Sequence, residues 1–170
     1  MPEPRAPRTH TFATAVEWTG ARDVGTVDYR SYDRDHTIRA EGAPPIPGSS
    51  SPTFRGDPTR YNPEELLVAA LSACHMLWYL HFCAVNGVTV VAYQDAATGT
   101  LLESADGGGR FSEVVLRPRV RIGAGNPETA RSLHGPAHEK CFIASSVNFP
   151  VRVEPTIEPA PPTASGPGSR

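Results

Sequence analysis

The stretch from Asn62 to Gly87 constrains the fold more than any other, because it reads as one long helix that is apolar around nearly its whole circumference. Asn62 is placed to cap it and Pro63 suits the first helical position. Glu64 and Glu65 favour the positive N-terminal end, with Glu65 three residues after Asn62 as in a capping box. Leu67, Ala70, Leu71, Cys74, Leu77, Trp78 and His81 recur at helical spacing, and Gly87 is the expected stop. Roughly 24 residues make a rod of about 36 Å, long for a chain of 170 residues. Between Leu66 and Phe82 so little is polar that the helix must be covered on most sides. A sheet can cover one side, and a second copy of the helix from a partner chain the other.

Strand-like segments flank the helix. His10 to Trp18 and Gly25 to Arg30 carry β-branched and aromatic residues, with turn residues Gly20 and Asp23 between them, and read as a hairpin; Thr37 to Glu41 reads as a third short strand. Gly42 to Tyr61 is dense in Pro, Gly and Ser, too rich in breakers for a regular element and long for a connection, as a lid or spacer would be. Val88 to Thr100 and Arg110 to Ile122 read as strands joined across Asp106-Gly107-Gly108-Gly109. In the second, Arg117, Arg119 and Arg121 alternate with apolar neighbours and predict a solvated face. Pro127-Glu128 opens a second helical pattern, interrupted at Gly135-Pro136 and resuming towards Cys141. Phe149 to Ile157, broken by Pro150 and Pro155, reads as an edge strand. The expected organisation is a flexible terminus over 1–9, one domain over 10–158 and a disordered Pro/Ser/Gly tail over 159–170.

Lys plus Arg number 16 against 18 for Asp plus Glu, without long runs, so nothing marks a nucleic-acid partner or an anionic membrane surface. No uninterrupted run of apolar residues reaches spanning length and the N-terminus lacks an apolar signal core, so a cytoplasmic protein with no membrane segment is expected. Three cysteines, Cys74, Cys83 and Cys141, are too few for a secreted disulfide scaffold.

Cys74 lies deep in the long helix and Cys141 ends Ala137-His138-Glu139-Lys140-Cys141, a pairing that suggests a redox couple rather than two packing residues. Reducing a peroxide needs a thiolate to attack one oxygen, a cation to hold that thiolate and the departing alkoxide, and a second thiol to trap the sulfenic acid. Cys83 reads as packing. Trp78, Tyr79 and Phe82, one to two turns beyond Cys74, offer an apolar wall for an alkyl substrate, with core packing as the plain alternative. A different chemistry stays open: His134, His138 and Cys141 fall at i, i+4 and i+7, and with His81 and Cys74 would make a metal site.

Asn62-Pro63-Glu64-Glu65-Leu66, Ala69-Ala70-Leu71-Ser72-Ala73-Cys74 and Ala137-His138-Glu139-Lys140-Cys141 together resemble the OsmC/Ohr superfamily of thiol-dependent peroxidases, over about Phe12 to Ile157. Phe142 stands where that family usually has Pro. The resemblance is to the OsmC-like branch in particular. It implies an α+β fold in which two chains form an intertwined homodimer, antiparallel sheets wrapped around long central helices. It implies reduction of organic hydroperoxides, and less well of hydrogen peroxide, through a Cys74 sulfenic acid and a Cys74–Cys141 disulfide, with no metal or prosthetic group and with recycling by a dithiol, a lipoyl protein or a small thiol. Arg39, before Glu41-Gly42, resembles the arginine of the OsmC branch, and Arg22 that of the Ohr branch. Arg39 is the preferred of the two, and Glu64 would orient its guanidinium, unless Glu64 only complements the helix dipole. A member of the family that binds a ligand without turnover is the remaining alternative.

Overall fold

A computed structural model describes residues 8–159 and places the long helix, α1, at Pro63–Val85. The chain divides into two compact units between Pro63 and Glu64.

In the N-terminal unit β1 (Ala15–Trp18), β2 (His36–Arg39) and β3 (Ile46–Gly48) form an antiparallel sheet in chain order. The expected hairpin with Gly25 to Arg30 does not form: Trp18 pairs with His36 and Ala15 with Arg39, while residues 26–30 are bends and turns. The reason lies at the neck of the intervening loop. The Trp18 indole donates to the Asp33 carbonyl at 2.8 Å, and the Asp33 N–H donates to the Gly20 carbonyl at 2.8 Å. A Cβ on Gly20 would meet that Asp33 oxygen at 2.2 Å, so the closure requires glycine. Gly42 to Tyr61 is not an irregular spacer either. It contains β3 and a 3₁₀ turn at Pro52–Phe54. It also closes on itself: Ser49, fully buried, donates its N–H to the Tyr61 carbonyl at 2.9 Å and its hydroxyl to Asp35 at 3.0 Å, while accepting from the Asp57 N–H. Pro47 hid β3 from a propensity argument, but β3 is an edge strand, where a missing donor costs nothing.

The C-terminal unit holds α1 and two three-stranded sheets. Each long expected strand divides in two at one shared corner. β4 (Thr89–Asp95) pairs antiparallel with β7 (Pro118–Ala124), and β5 (Thr98–Glu103) with β6 (Gly109–Leu116). At the corner the Asp95 carboxylate accepts the Arg117 N–H at 2.6 Å, and the Arg117 side chain reaches Thr98 at 2.8 Å and Glu154 at 3.1 Å. β8 (Val151–Val153) and β9 (Thr156–Pro159) add in parallel to β6 and β7 as edge strands, so the expected last strand is also split there. The hairpin turn at Asp106-Gly107 forms as expected, the Asp106 carboxylate accepting from the Gly108 N–H at 3.0 Å. In β7, Pro118, Val120 and Ile122 are buried and Arg119 and Arg121 exposed, the expected alternation, whereas Val114, Val115 and Leu116 of β6 are all buried. The expected tail lies outside the described residues except for Pro159, which closes β9; the expected flexible N-terminus lies outside them up to residue 7.

Gly87 ends α1 at φ 71°, with the Val88 N–H donating to the Cys83 carbonyl at 2.9 Å. This is a Schellman closure whose flanking residues, Val88 and Cys83, share a core cluster. The face of α1 that the chain buries is Leu71, His75, Tyr79 and Cys83. The seam expected from spacing, with Ala70, Leu77 and His81, is left exposed, Leu77 at 64%. By length and composition alone α1 also suffices to cross a membrane, with mean hydropathy 1.6 and 22% of that window buried. α2 (Pro127–Ser132) is capped by Asn126, whose side chain accepts from the Glu128 and Thr129 N–H groups. α3 (His134–Lys140) follows after a break at Leu133, ahead of Gly135-Pro136. Pro136 falls in the first turn of α3, where its missing N–H is no loss.

Candidate functional site

Two core clusters divide the C-terminal unit, and Cys74 and Cys141 lie where they adjoin along the chain. Leu71 belongs to one cluster and Tyr79 to the other, with Cys74 and His75 between them; Ala137 and Ile143 likewise bracket Cys141. Cys141 is the C-cap of α3 and fully buried. Its sulfur accepts the Ala144 N–H at 3.4 Å. Cys74 is only half-buried.

The two thiols, expected to pair, lie close enough to interact. Burial pushes the Cys141 thiol up to about 11, and the neighbouring Cys74 adds to the rise. Cys141 is therefore a protonated thiol at neutral pH. Cys83 is buried beside Tyr79, a packing residue as expected.

The aromatic residues separate. Tyr79 is fully buried and stacks on His134 at 3.9 Å, a core residue and not a cleft wall as expected. Phe82 packs against the same core, and its ring lies 5.7 Å from that of Trp78. Trp78 borders a cleft of about 310 Å³ with Leu77 and His81, and meets Phe142, which is 72% exposed, at 5.8 Å. The sequence reading had not placed Phe142 in the site; its position next to Cys141 was the available signal. A larger cleft, about 600 Å³, opens on another face of α1 between Val68, Ser72, Met76, Tyr93, Asp95 and Phe111, with Glu64 also on its lining and Cys74 absent from it. There Ser72 donates to Asp95 at 2.6 Å.

Both candidate arginines lie in the N-terminal unit. Arg22, at φ 50°, donates Nε to Asp33 at 2.8 Å. That bond holds the Asp33 carboxyl below the usual range. Arg39 is exposed and stands 4.0 Å from Glu17, a far looser partnership than the fork Arg22 makes with Asp33.

Among the described residues no three His, Cys, Asp or Glu side chains converge as metal ligands. His134, read as one of five candidate ligands with His138, Cys141, His81 and Cys74, turns its Nδ1 to His75 Nε2 at 2.9 Å, the rings stacked at 5.2 Å. His75, the neighbour of Cys74, was not singled out from sequence. The signal was its place in Leu71, His75, Tyr79 and Cys83, a run at constant spacing of four.

Burial, with His138 nearby and against the pull of Asp95, lowers His75 to about 4; burial, then His75 and Arg131, lowers His134 to about 3. Both are neutral in the folded chain at pH 7. An unfolded chain takes up these protons near pH 6.5, so stability is at its plateau above that pH and falls as pH drops towards 4 and 3. His75 alone accounts for about 3 kcal/mol by pH 4. Denaturant unfolding at stepped pH should show this slope, and a His75→Phe/His134→Phe variant should flatten it.

The fold now has relatives. The profile of the OsmC-like protein family matches residues 56–156. This chain belongs to the OsmC/Ohr superfamily. An OsmC-like protein of unknown function from Vibrio cholerae is 35% identical at a TM-score of 0.78, the match covering 87% of this chain and 100% of that one. An organic hydroperoxide resistance protein OsmC from Legionella pneumophila, 16% identical, matches with a TM-score of 0.62 over 89% and 98% of the two chains. The organic hydroperoxide resistance protein OhrB of Bacillus subtilis, 19% identical, matches at 0.56 over 88% and 98%. No curated protein sequence matches. The α+β fold expected from the resemblance, with strands in mixed sheets against a long helix, is the fold these proteins share.

Proposed function

We propose that the protein is a thiol-dependent peroxidase for organic hydroperoxides, with Cys74 as nucleophile and Cys141 as resolving thiol. The observation that carries this reading is the asymmetry of the pair: Cys141 is sealed and held as a thiol, whereas its neighbour Cys74 is partly open. The Cys74 thiolate attacks the outer peroxide oxygen, the O–O bond breaks, and the alkoxide leaves as alcohol after taking a proton. Cys141 then attacks the sulfenic sulfur; its own proton and the sulfenic hydroxyl depart as water, leaving Cys74–Cys141. A dithiol, a lipoyl protein or a small thiol, returns two electrons and two protons. The chemistry uses protein side chains with no metal or prosthetic group, in a reducing cytoplasm. Leu77 and Trp78, about one turn along α1 from Cys74, border the 310 Å³ cleft with His81, and Phe142 meets Trp78; this apolar lining would suit an alkyl hydroperoxide over hydrogen peroxide.

The same reading includes a homodimer. Ala70, Cys74, Leu77, Trp78 and His81 form a continuous, largely apolar seam on α1 that the chain leaves partly or fully open. A second α1 covers it better than lipid does, because Cys74 chemistry needs water-borne reductant and the sheet beside it presents Arg119 and Arg121 to solvent.

One equivalent of cumene hydroperoxide per reduced chain should yield a species lighter by two hydrogens, with Cys74 and Cys141 joined in one peptide pair. A Cys74–Cys83 link, or no oxidation, overturns the assignment. A carrier without turnover is the second reading, favoured by the 600 Å³ cleft that does not reach Cys74; absence of peroxide consumption would support it.

A further inference from the structure

Resolution requires the short helix bearing Cys141 to stay against α1. α3 offers one stripe to α1: His134, Ala137 and Cys141, spaced three and four apart, are all buried. Its two ends are tied differently. At the far end Cys141 meets Cys74. At the near end, two turns earlier, His134 Nδ1 meets His75 Nε2 at 2.9 Å, and His75 is the immediate neighbour of Cys74. The outer nitrogens, His75 Nδ1 and His134 Nε2, are buried without a hydrogen-bond partner. Satisfying these polar groups is not what holds the pair in place. A pair of neutral imidazoles shares a single proton between the facing nitrogens, so one ring donates and the other accepts in either tautomer.

We propose that the His75–His134 hydrogen bond is a positioning latch that fixes α3 on α1 and so keeps the Cys141 thiol within reach of Cys74. The proposal rests on the reading of Cys74 and Cys141 as a disulfide-forming pair. The histidines take no part in the chemistry; they act through Cys141. Two apolar side chains would fill the same volume at no desolvation cost, whereas a directional bond also sets the rotation of α3 about its axis. A displacement of about 1 Å between reacting atoms can slow a step by about 10²-fold.

The test separates bond from packing. His134→Asn places an amide where Nδ1 stood and keeps the bond while losing the ring that stacks on Tyr79. His134→Phe keeps the ring and loses the bond. The reduced proteins are treated with diamide, which oxidises two neighbouring thiols to a disulfide whether or not the protein turns over peroxide, and separately with cumene hydroperoxide plus dimedone to trap sulfenic acid. The expected result is Cys74–Cys141 formation within about threefold of the parent in His134→Asn and at least about tenfold slower in His134→Phe. In peroxide, His134→Phe accumulates the Cys74–dimedone adduct while consuming its first equivalent at the parental rate. Equal slowing in both variants, or diamide coupling in His134→Phe as fast as in the parent, overturns the latch. If the parent couples with diamide and His134→Phe does not, yet neither consumes peroxide, the latch stands and the peroxidase reading falls. Should His134→Phe fail to fold, His75→Gln against His75→Leu makes the same comparison from α1.

Discussion

Replacing Cys74 with serine should abolish hydroperoxide consumption, a loss of about 10³-fold or more, while the fold survives. A serine hydroxyl is not ionised at neutral pH and is a poor nucleophile towards peroxide oxygen, so no residual route through the same position exists. The structural cost is small because Cys74 is half-buried on the seam of α1 and not within either core cluster. Cys141→Ser has a different signature. Its first equivalent of peroxide is consumed and turnover then stops, with Cys74 passing from sulfenic to sulfinic acid as peroxide is added. Peroxide consumption followed by stopped-flow, with mass analysis of each end state and circular dichroism as the folding control, separates the two. Full activity in Cys74→Ser sinks the peroxidase reading, and a Cys141→Ser variant that never consumes its first equivalent reverses the roles of the two sulfurs.

The parts of this fold legible in the sequence are those decided locally. α1 is bounded by Pro63 and by Gly87, whose left-handed φ the stop required, and the β5–β6 turn follows from Asp106-Gly107. What was not legible depends on residues distant in sequence. Asp95, Arg117 and Glu154 meet at one corner and cut three runs of strand-forming residues in half, which nothing in the alternation of any single run announces. The pairing of β1 with residues 36–39 instead of 25–30 is settled by Gly20 admitting the Asp33 carbonyl, a contact between loop residues that propensity does not weigh. For α1 the difficulty was of another kind. Apolar residues occur on every face, so periodicity gives no preferred direction, and the face the chain itself buries contains a histidine. That histidine finds its partner 59 residues away. The cysteines were legible because two short motifs carried them; the histidines beside them, without a motif, were not.

The largest effect beyond loss of the nucleophile should come from Arg39, and it should act between chains. Glu64 and Cys74 are ten residues apart on the unbroken α1, a rise of about 15 Å, too far for a guanidinium held beside Glu64 to reach the sulfur of the same helix. Arg22 is committed to Asp33, whereas among the described residues Arg39 makes a single 4.0 Å approach to Glu17. In a two-fold dimer with antiparallel α1 helices, the N-terminal end of one helix lies near the middle of the other. Arg39 of one subunit would then stabilise the Cys74 thiolate and the departing alkoxide of its partner, with Glu64 in the orienting role that the family resemblance gives it. Arg39→Ala should by itself lower the rate by about 10²-fold, the scale of losing one group that stabilises charge in the transition state. Mixing it with Cys74→Ser under conditions that exchange subunits should then restore activity. Half the dimers are mixed, and each has one site combining an intact Cys74 with an intact Arg39, so about a quarter of the parental rate returns. Inactivity after verified exchange of two inactive parents would mean that the cation is supplied within the chain or is a residue other than Arg39.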